Sequence, residues 1–437
     1  MRSVGSQRRV IPVLLLLALT ASLTLASPAG AGEEKETRGN VLIQGDGAFS
    51  PAQGVRSGTG TEQDPYVISN WSLNSIVIKD TDAYVVIRDN EIRNRLVLDW
   101  NGDRVEVVDN KIGDLRVNQN VKRTGDRTSG LIARNTINFV GQLRHWDGVF
   151  EDNVVGLSGA MSLPYFHSRA VNFDGFNGAK FRNNTIYGYV DVKLHGHHHG
   201  SGFGEDSHHH ATEGHSHGMP GDGVDHTQRY HEVSIVGNTI YAPGRYALRW
   251  HDTAHAPDDR TNASETNPEL EKPHIHHTVV RINNNELVGA GLLVDVFNAK
   301  DERHTGYAEG RIQIKGNKIT VARDDTEDSP AGALHGIDVR RAQAFDLTIE
   351  ANEIAGDGPD RIVAENMLRG HEAGINLTDF DEGRVTLANN LVRDFPVGIK
   401  GARFSETVHW WIKALSTENV GQAVMYDQTV SNAPHES

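Results

Sequence analysis

Nine of the 24 residues in the stretch HGHHHGSGFGEDSHHHATEGHSHG are histidine: His195, His197, His198, His199, His208, His209, His210, His215 and His217. Neutral imidazole is the commonest protein ligand for Zn, Cu and Ni, and a metal needs three or four such donors to converge. His195/His197 and His215/His217 are H-x-H pairs, which share a face if the backbone is extended. Glu205, Asp206 and Glu213 add carboxylates. Further on come His226, His231, His251, His255, His274, His276 and His277, so 16 of the 23 histidines lie between residues 195 and 277. The run itself is rich in Gly and Ser and poor in apolar residues, the composition of a flexible segment. An ordered site is therefore expected at its base, from His195, His251, His274 and His276, with His255 beside them. Zn, Cu(II) or Ni suits this donor set. With no Cys and five Met in the chain, a soft Cu(I) cage is disfavoured.

Composition narrows the setting. Arg2, Arg8 and Arg9 precede the apolar run VIPVLLLLALTASLTLA, and Ala29-Gly30-Ala31 follows as an A-x-A cleavage signature. Residues 1–31 thus read as a secretory signal, and the mature protein as periplasmic or secreted. Arg8-Arg9 hints at twin-arginine export. No other run is long enough to span a bilayer as a helix. The absence of Cys excludes disulfides and thiolate metal centres. A formal charge of −15 argues against nucleic acid or anionic membranes as partners.

The elements that must hold these residues are visible as a repeat. An apolar-alternating run followed by Asn, any residue, and Ile, Leu or Val recurs at Asn90, Asn110, Asn135, Asn153, Asn184, Asn238, Asn285, Asn317, Asn352, Asn366 and Asn390. Val and Ile alternate with polar residues at period two, which is strand patterning. Asn tolerates left-handed backbone and bonds locally, so it suits a tight bend, and one Asn per coil can stack into an amide ladder. Second short strands lie between: AVNFD, YVDVK, ALRWH, GLLVD, GIDVR and GINLT. Stacked coils of two or three such strands bury one continuous apolar column. A β-sandwich is the alternative, but its hairpin signals are missing.

Spacing locates the decorations. Asn90 to Asn110 is 20 residues and Asn366 to Asn390 is 24, which read as bare coils. Asn184 to Asn238 is 54 and Asn238 to Asn285 is 47. Two consecutive coils thus carry long insertions, about 195–230 and 251–277, leaving after the equivalent strands YVDVKLH and YALRWH. On a solenoid, equivalent insertions stack on one face. Residues 32–64 read as an irregular N-terminal cap, 65–408 as the solenoid, and 409–437, opening with HWWIK, as a hydrophobic C-terminal cap and tail.

The N-x-[ILV] series and its G-[IV]-x-[VL] partners resemble the right-handed parallel β-helix (pectate-lyase-like) superfamily over about residues 65–405. The opening GTGTEQDPYVISNWSL is similar to the branch that includes the periplasmic copper-processing protein of nitrous-oxide reductase assembly. The resemblance implies an all-β, single-stranded right-handed solenoid. It says little about activity, because the superfamily hosts many.

Aligning the second strands sets Asp174, Lys193, His251, Asp295 and Arg340 in one outward column. Asp191, Arg249 and Asp338 stand beside it, with Asn172, Asn376 and Thr378 also outward. The resemblance implies a groove for a uronate polymer, as in lyases and epimerases. Lys193 or His251 would be the base, Arg249 or Arg340 the carboxylate clamp, Asp191 a further catalytic candidate, and Ca²⁺ would sit on the Asp ladder. Paired Asp residues in hydrolysis are another option. The hydrolase and epimerase signatures are incomplete or absent here. Trp100 and RHWDG (144–148) are candidate sugar-stacking positions, but core or edge packing explains them better. The expected function is extracytoplasmic binding or delivery of a transition metal, with a metalloenzyme or transporter as partner. The alternatives are a carbohydrate-active enzyme on an extracellular polysaccharide and a non-catalytic adhesin.

Overall fold

A computed structural model describes residues 35–437 except 100–103, 119–129, 145, 147, 157–168, 175–178, 196–227, 255–274, 299–306, 323–333, 343–344, 358–371, 381–382, 427–434 and 437. The expected signal segment, Trp100, Asn366 and the histidines from 197 to 226 lie outside them, as do His255 and His274. Thr37–Ser437 forms one compact unit.

Its described residues form two parallel sheets, of 21 and 13 strands, and no α-helix. The smaller sheet takes one strand per coil, such as Lys180–Arg182, Gln228–Val236, Ile275–Asn283 and Tyr307–Lys315. The larger takes two, for instance Thr239–Ala242 and Leu248–Ala254. Each strand pairs with its equivalent in the next coil, as Thr239–Ala242 does with Glu286–Gly289. The alternation in the sequence becomes one apolar column, from Val41 and Ile43 to Trp410 and Ile412. Phe173 of the larger sheet meets Phe150 and Phe181 of the smaller edge-on, with centroids 6.0 and 5.0 Å apart, so these two strand sets face each other across the core.

The asparagines form a continuous buried ladder. Asn238, 1% exposed, donates from Nδ2 to Oδ1 of Asn285 (3.0 Å) and to the carbonyls of Phe181 (3.0 Å) and Val236 (3.2 Å). Its own Oδ1 accepts from the backbone and side-chain nitrogens of Asn184, both at 2.9 Å. The same pattern runs from Asn90 through Asn110, Asn135, Asn153, Asn184, Asn238, Asn285, Asn317 and Asn352 to Asn390. Each rung satisfies a turn's backbone groups that would otherwise be buried unpaired.

Four expectations are corrected. The left-handed residue of each turn is the one before the ladder Asn (Asp89, Asp109, Arg134, Asp152, Asn183, Gly237, Asn284, Gly316, Ala351, Asn389), because the Asn itself must turn inward. Asn352 bonds directly to Asn390, and Glu353–Ala355 pairs with Leu391–Arg393, so Asn366 is no rung and Asn366 to Asn390 is no separate coil. The N-terminal segment is not wholly irregular: Glu36–Gln44 is a strand that pairs with Trp71–Lys79 and adds Val41 and Ile43 to the core. HWWIK is no cap, since Val408–Lys413 pairs with Gly383–Ala388 and buries Trp410, and strands continue to Gln422–Tyr426.

Replacing Asn238 by Ala strands two backbone carbonyls and the amide groups of two neighbouring rungs. At about 1–3 kcal/mol per unsatisfied buried group, the loss should reach about 3 kcal/mol or more in denaturant unfolding. Thr239→Ala, one residue along and partly exposed, serves as control. Equal, small losses in both would contradict the ladder's role.

Candidate functional site

The second strands of the larger sheet carry the chemistry. Register aligns Asp174 with Lys193, Lys193 with His251, His251 with Asp295, and Asp295 with Arg340. The neighbouring row runs Asn172, Asp191, Arg249, Leu293, Asp338, Asn376 and Lys400. The alternation that buries Val190, Val192, Trp250 and Val294 sets these residues on the opposite face. They are nevertheless not a solvated face, since Asp191, Asp338 and Asn376 are buried there.

Two clusters result. In the first, Asp191 lies 3.4 Å from Arg169 Nη1, 3.5 Å from His251 Nε2 and 3.7 Å from Lys193 Nζ. Asp191 Oδ1 and Arg249 Nε are buried without a hydrogen bond. Burial holds the His251 imidazole below its ordinary pKa, against the pull of Asp191, so the ring is neutral at pH 7. A neutral ring is fit to accept a proton or bind a metal.

The second cluster centres on Asp338. Tyr246 Oη donates to it at 2.8 Å, Arg340 Nε at 2.8 Å and Asn376 Nδ2 at 2.8 Å; Arg340 Nη2 bonds it as well. Burial pushes the Asp338 carboxyl up, but His335, Arg340 and Asn376 outweigh it and leave it below the usual range. Burial, reinforced by Asp338, pushes the Tyr246 hydroxyl up. His335 is fully enclosed, and burial lowers its pKa to about 4; its Nδ1 accepts from the Ala373 amide at 3.1 Å. Burial also lowers Lys400, which Asp338 opposes.

The candidate catalytic residues therefore differ in freedom. Arg340 is committed to Asp338, and Asp295 is held by both nitrogens of Arg341. Arg340 is 41% accessible despite that pairing, while Lys193 and His251, 40% and 22% accessible, share Asp191 at 3.7 and 3.5 Å. Trp146 of RHWDG is core, 2% exposed, and closed to sugar stacking.

Of the predicted metal ligands, His195 and His251 lie on strands of the larger sheet, whereas His276 lies in Ile275–Asn283 of the smaller. His197, His198, His199, His208, His209, His210, His215, His217, His255 and His274 fall outside the described residues. Among described residues no three His, Asp or Glu side chains converge to hold a metal. Tyr246, His335, Arg341 and Lys400 were not legible as neighbours, because Tyr246 meets Asp338 across 92 residues of chain. No protein-family model, curated protein or solved structure matches the chain.

His335 makes stability depend on pH. An unfolded His protonates near pH 6.5, whereas the folded ring stays neutral down to about 4. The unfolded state binds more protons between these limits, so stability is full above the upper one and falls as pH drops toward the lower, by about 3 kcal/mol. Urea unfolding at pH 7 and pH 4.5 should show the loss, and His335→Gln should reduce it. An identical loss in the variant would assign the titration to another group.

Proposed function

We propose that this chain is an exported right-handed parallel β-helix of the pectate-lyase-like superfamily that binds a transition metal (Zn, Cu(II) or Ni) through its histidine-rich insertions and passes it to a metalloenzyme or transporter. One observation carries this reading. The strands that bound the two insertions, Tyr189–His195 with Leu248–Ala254 and Gln228–Val236 with Ile275–Asn283, are direct in-register neighbours in both sheets. Fifteen histidines are thus borne by two segments, 195–230 and 251–277, anchored side by side. The neutral His251 at one anchor supports the same reading. Resemblance to the copper-processing branch agrees with it but rests on one short opening stretch.

A second reading, a carbohydrate-active enzyme on a uronate polymer, draws support from Lys193 and His251. They are partly exposed basic side chains of the strand face, beside the half-buried Arg249 and the buried Asp191. Lys193 or His251 would take the proton alpha to the carboxylate. Ca²⁺ at the aspartates fits less well, since Asp295 and Asp338 are taken by arginines.

Titration calorimetry of the full chain with Zn²⁺, Cu²⁺ and Ni²⁺ at pH 7.5 should give tight binding that fades below pH about 6.5. Binding no tighter than that of a scrambled loop peptide would overturn the metal reading. For the enzyme reading, ultraviolet assay on a panel of uronans should show unsaturated product that Lys193→Ala or His251→Ala abolishes. A silent wild type on every polymer would end it.

A further inference from the structure

We infer that two copies of this chain associate through the free edge of the larger sheet, where Gln422–Tyr426 pairs antiparallel with the same strand of a second copy. This association stands independently of the metal and enzyme readings above.

Pairing shows where the sheet ends. Among the described residues, Ser416–Glu418 pairs only with Leu391–Arg393, and Gln422–Tyr426 only with Val397–Phe404. Each strand has one edge bonded to the preceding coil and one edge without a strand beside it. The core-side rows stop at the same place. Val392 and Ile399 are wholly buried, but their register partners in the next coil, Thr417 and Val424, are exposed and half-buried respectively. Tyr426 is 43% exposed. The first strand of the sheet is finished differently. In Glu36–Gln44, Val41 and Ile43 are wholly buried, and Ala48, Phe49 and Val55 pack on the same core. At the other end, the carbonyl of Val424 accepts from Nε2 of Gln422 at 2.9 Å, two residues away on the same strand. A side-chain amide there serves a carbonyl that a neighbouring strand would otherwise serve.

Charge selects the occupant. Residues 419–426 carry no charged side chain, in a chain of formal charge −15. Copies of one sign repel, so they can meet closely only where neither presents charge. Sheet edges left to solvent are commonly blunted by Lys or Pro, and Gln422–Tyr426 has neither. It offers Val, Met and Tyr instead, the composition that suits strand addition. Run antiparallel against its own copy about a two-fold axis, the strand satisfies both edges with the same residues and closes the assembly at two chains. Residues 427–434 lie outside the described residues, and His435–Glu436 next pairs with Trp411 and Ile412 of the smaller sheet.

Sedimentation equilibrium on the full chain at micromolar concentration should give twice the chain mass. Met425, half-buried and in register with Lys400, lies close to its own copy in an antiparallel pair of such short strands. Met425→Glu and Met425→Lys should each be monomeric, because like charges then face each other across the axis. An equal mixture of the two should dimerise again, which separates a lost interface from a lost fold. A monomeric wild type overturns this interface and leaves the edge to residues 427–434 or to another protein. Single variants that stay dimeric, or a mixture that stays monomeric, also overturn it.

Discussion

From Asn90 to Asn390, every coil is tied to the next by a buried side-chain amide. From Asn110 onward, Oδ1 of each ladder Asn accepts from the backbone and side-chain nitrogens of the Asn before it, while Nδ2 donates to a carbonyl of the preceding coil, as Asn238 does to Phe181. The rung is buried, so its hydrogen bonds are strong and its loss leaves groups with no water to turn to. The ladder therefore also fixes register. A slip of one residue along any strand would move the apolar set of that coil from the core to the outer face.

Fixed register is what gives the outer rows meaning. Because Lys193, His251, Asp295 and Arg340 are locked beside one another, each charged member meets a fixed partner: Asp191 for Lys193, Arg341 for Asp295 and Asp338 for Arg340. Asp338 shows how far this goes: a carboxylate enclosed by Tyr246, Arg340 and Asn376 is a stabilising knot rather than a reactive group. Lys193 and His251, at the end of the face where the insertions begin, instead share Asp191 at 3.7 and 3.5 Å and stay partly exposed. The same register brings the anchors of the two histidine-bearing segments together in both sheets.

Much of this was legible in the sequence, because period-two alternation and a recurring Asn are local signals. Ten rungs and the column from Lys193 to Arg340 follow from aligning short strings. Asn366 misled because it carries the same local string, and only the direct bond from Asn352 to Asn390 shows that no rung lies between those two. HWWIK misled because a cap and a last coil both need aromatics; burial of Trp410 with its sheet pairing decides for the coil. The knot around Asp338 was out of reach, since Tyr246 and His335 carry no pattern and meet it only through coil stacking. Which rows face the core at the insertion anchors was equally hidden. It requires the pairing of Gln228–Val236 with Ile275–Asn283, and strand ends are the least predictable part of any strand.

The proposed metal function rests on two histidine-bearing insertions whose anchoring strands are register neighbours in both sheets. Hydrogen exchange on the full chain, with and without Zn²⁺, addresses it directly. Added protection is expected for amides within 195–230 and 251–277. An exchange pattern that Zn²⁺ leaves unchanged would contradict it.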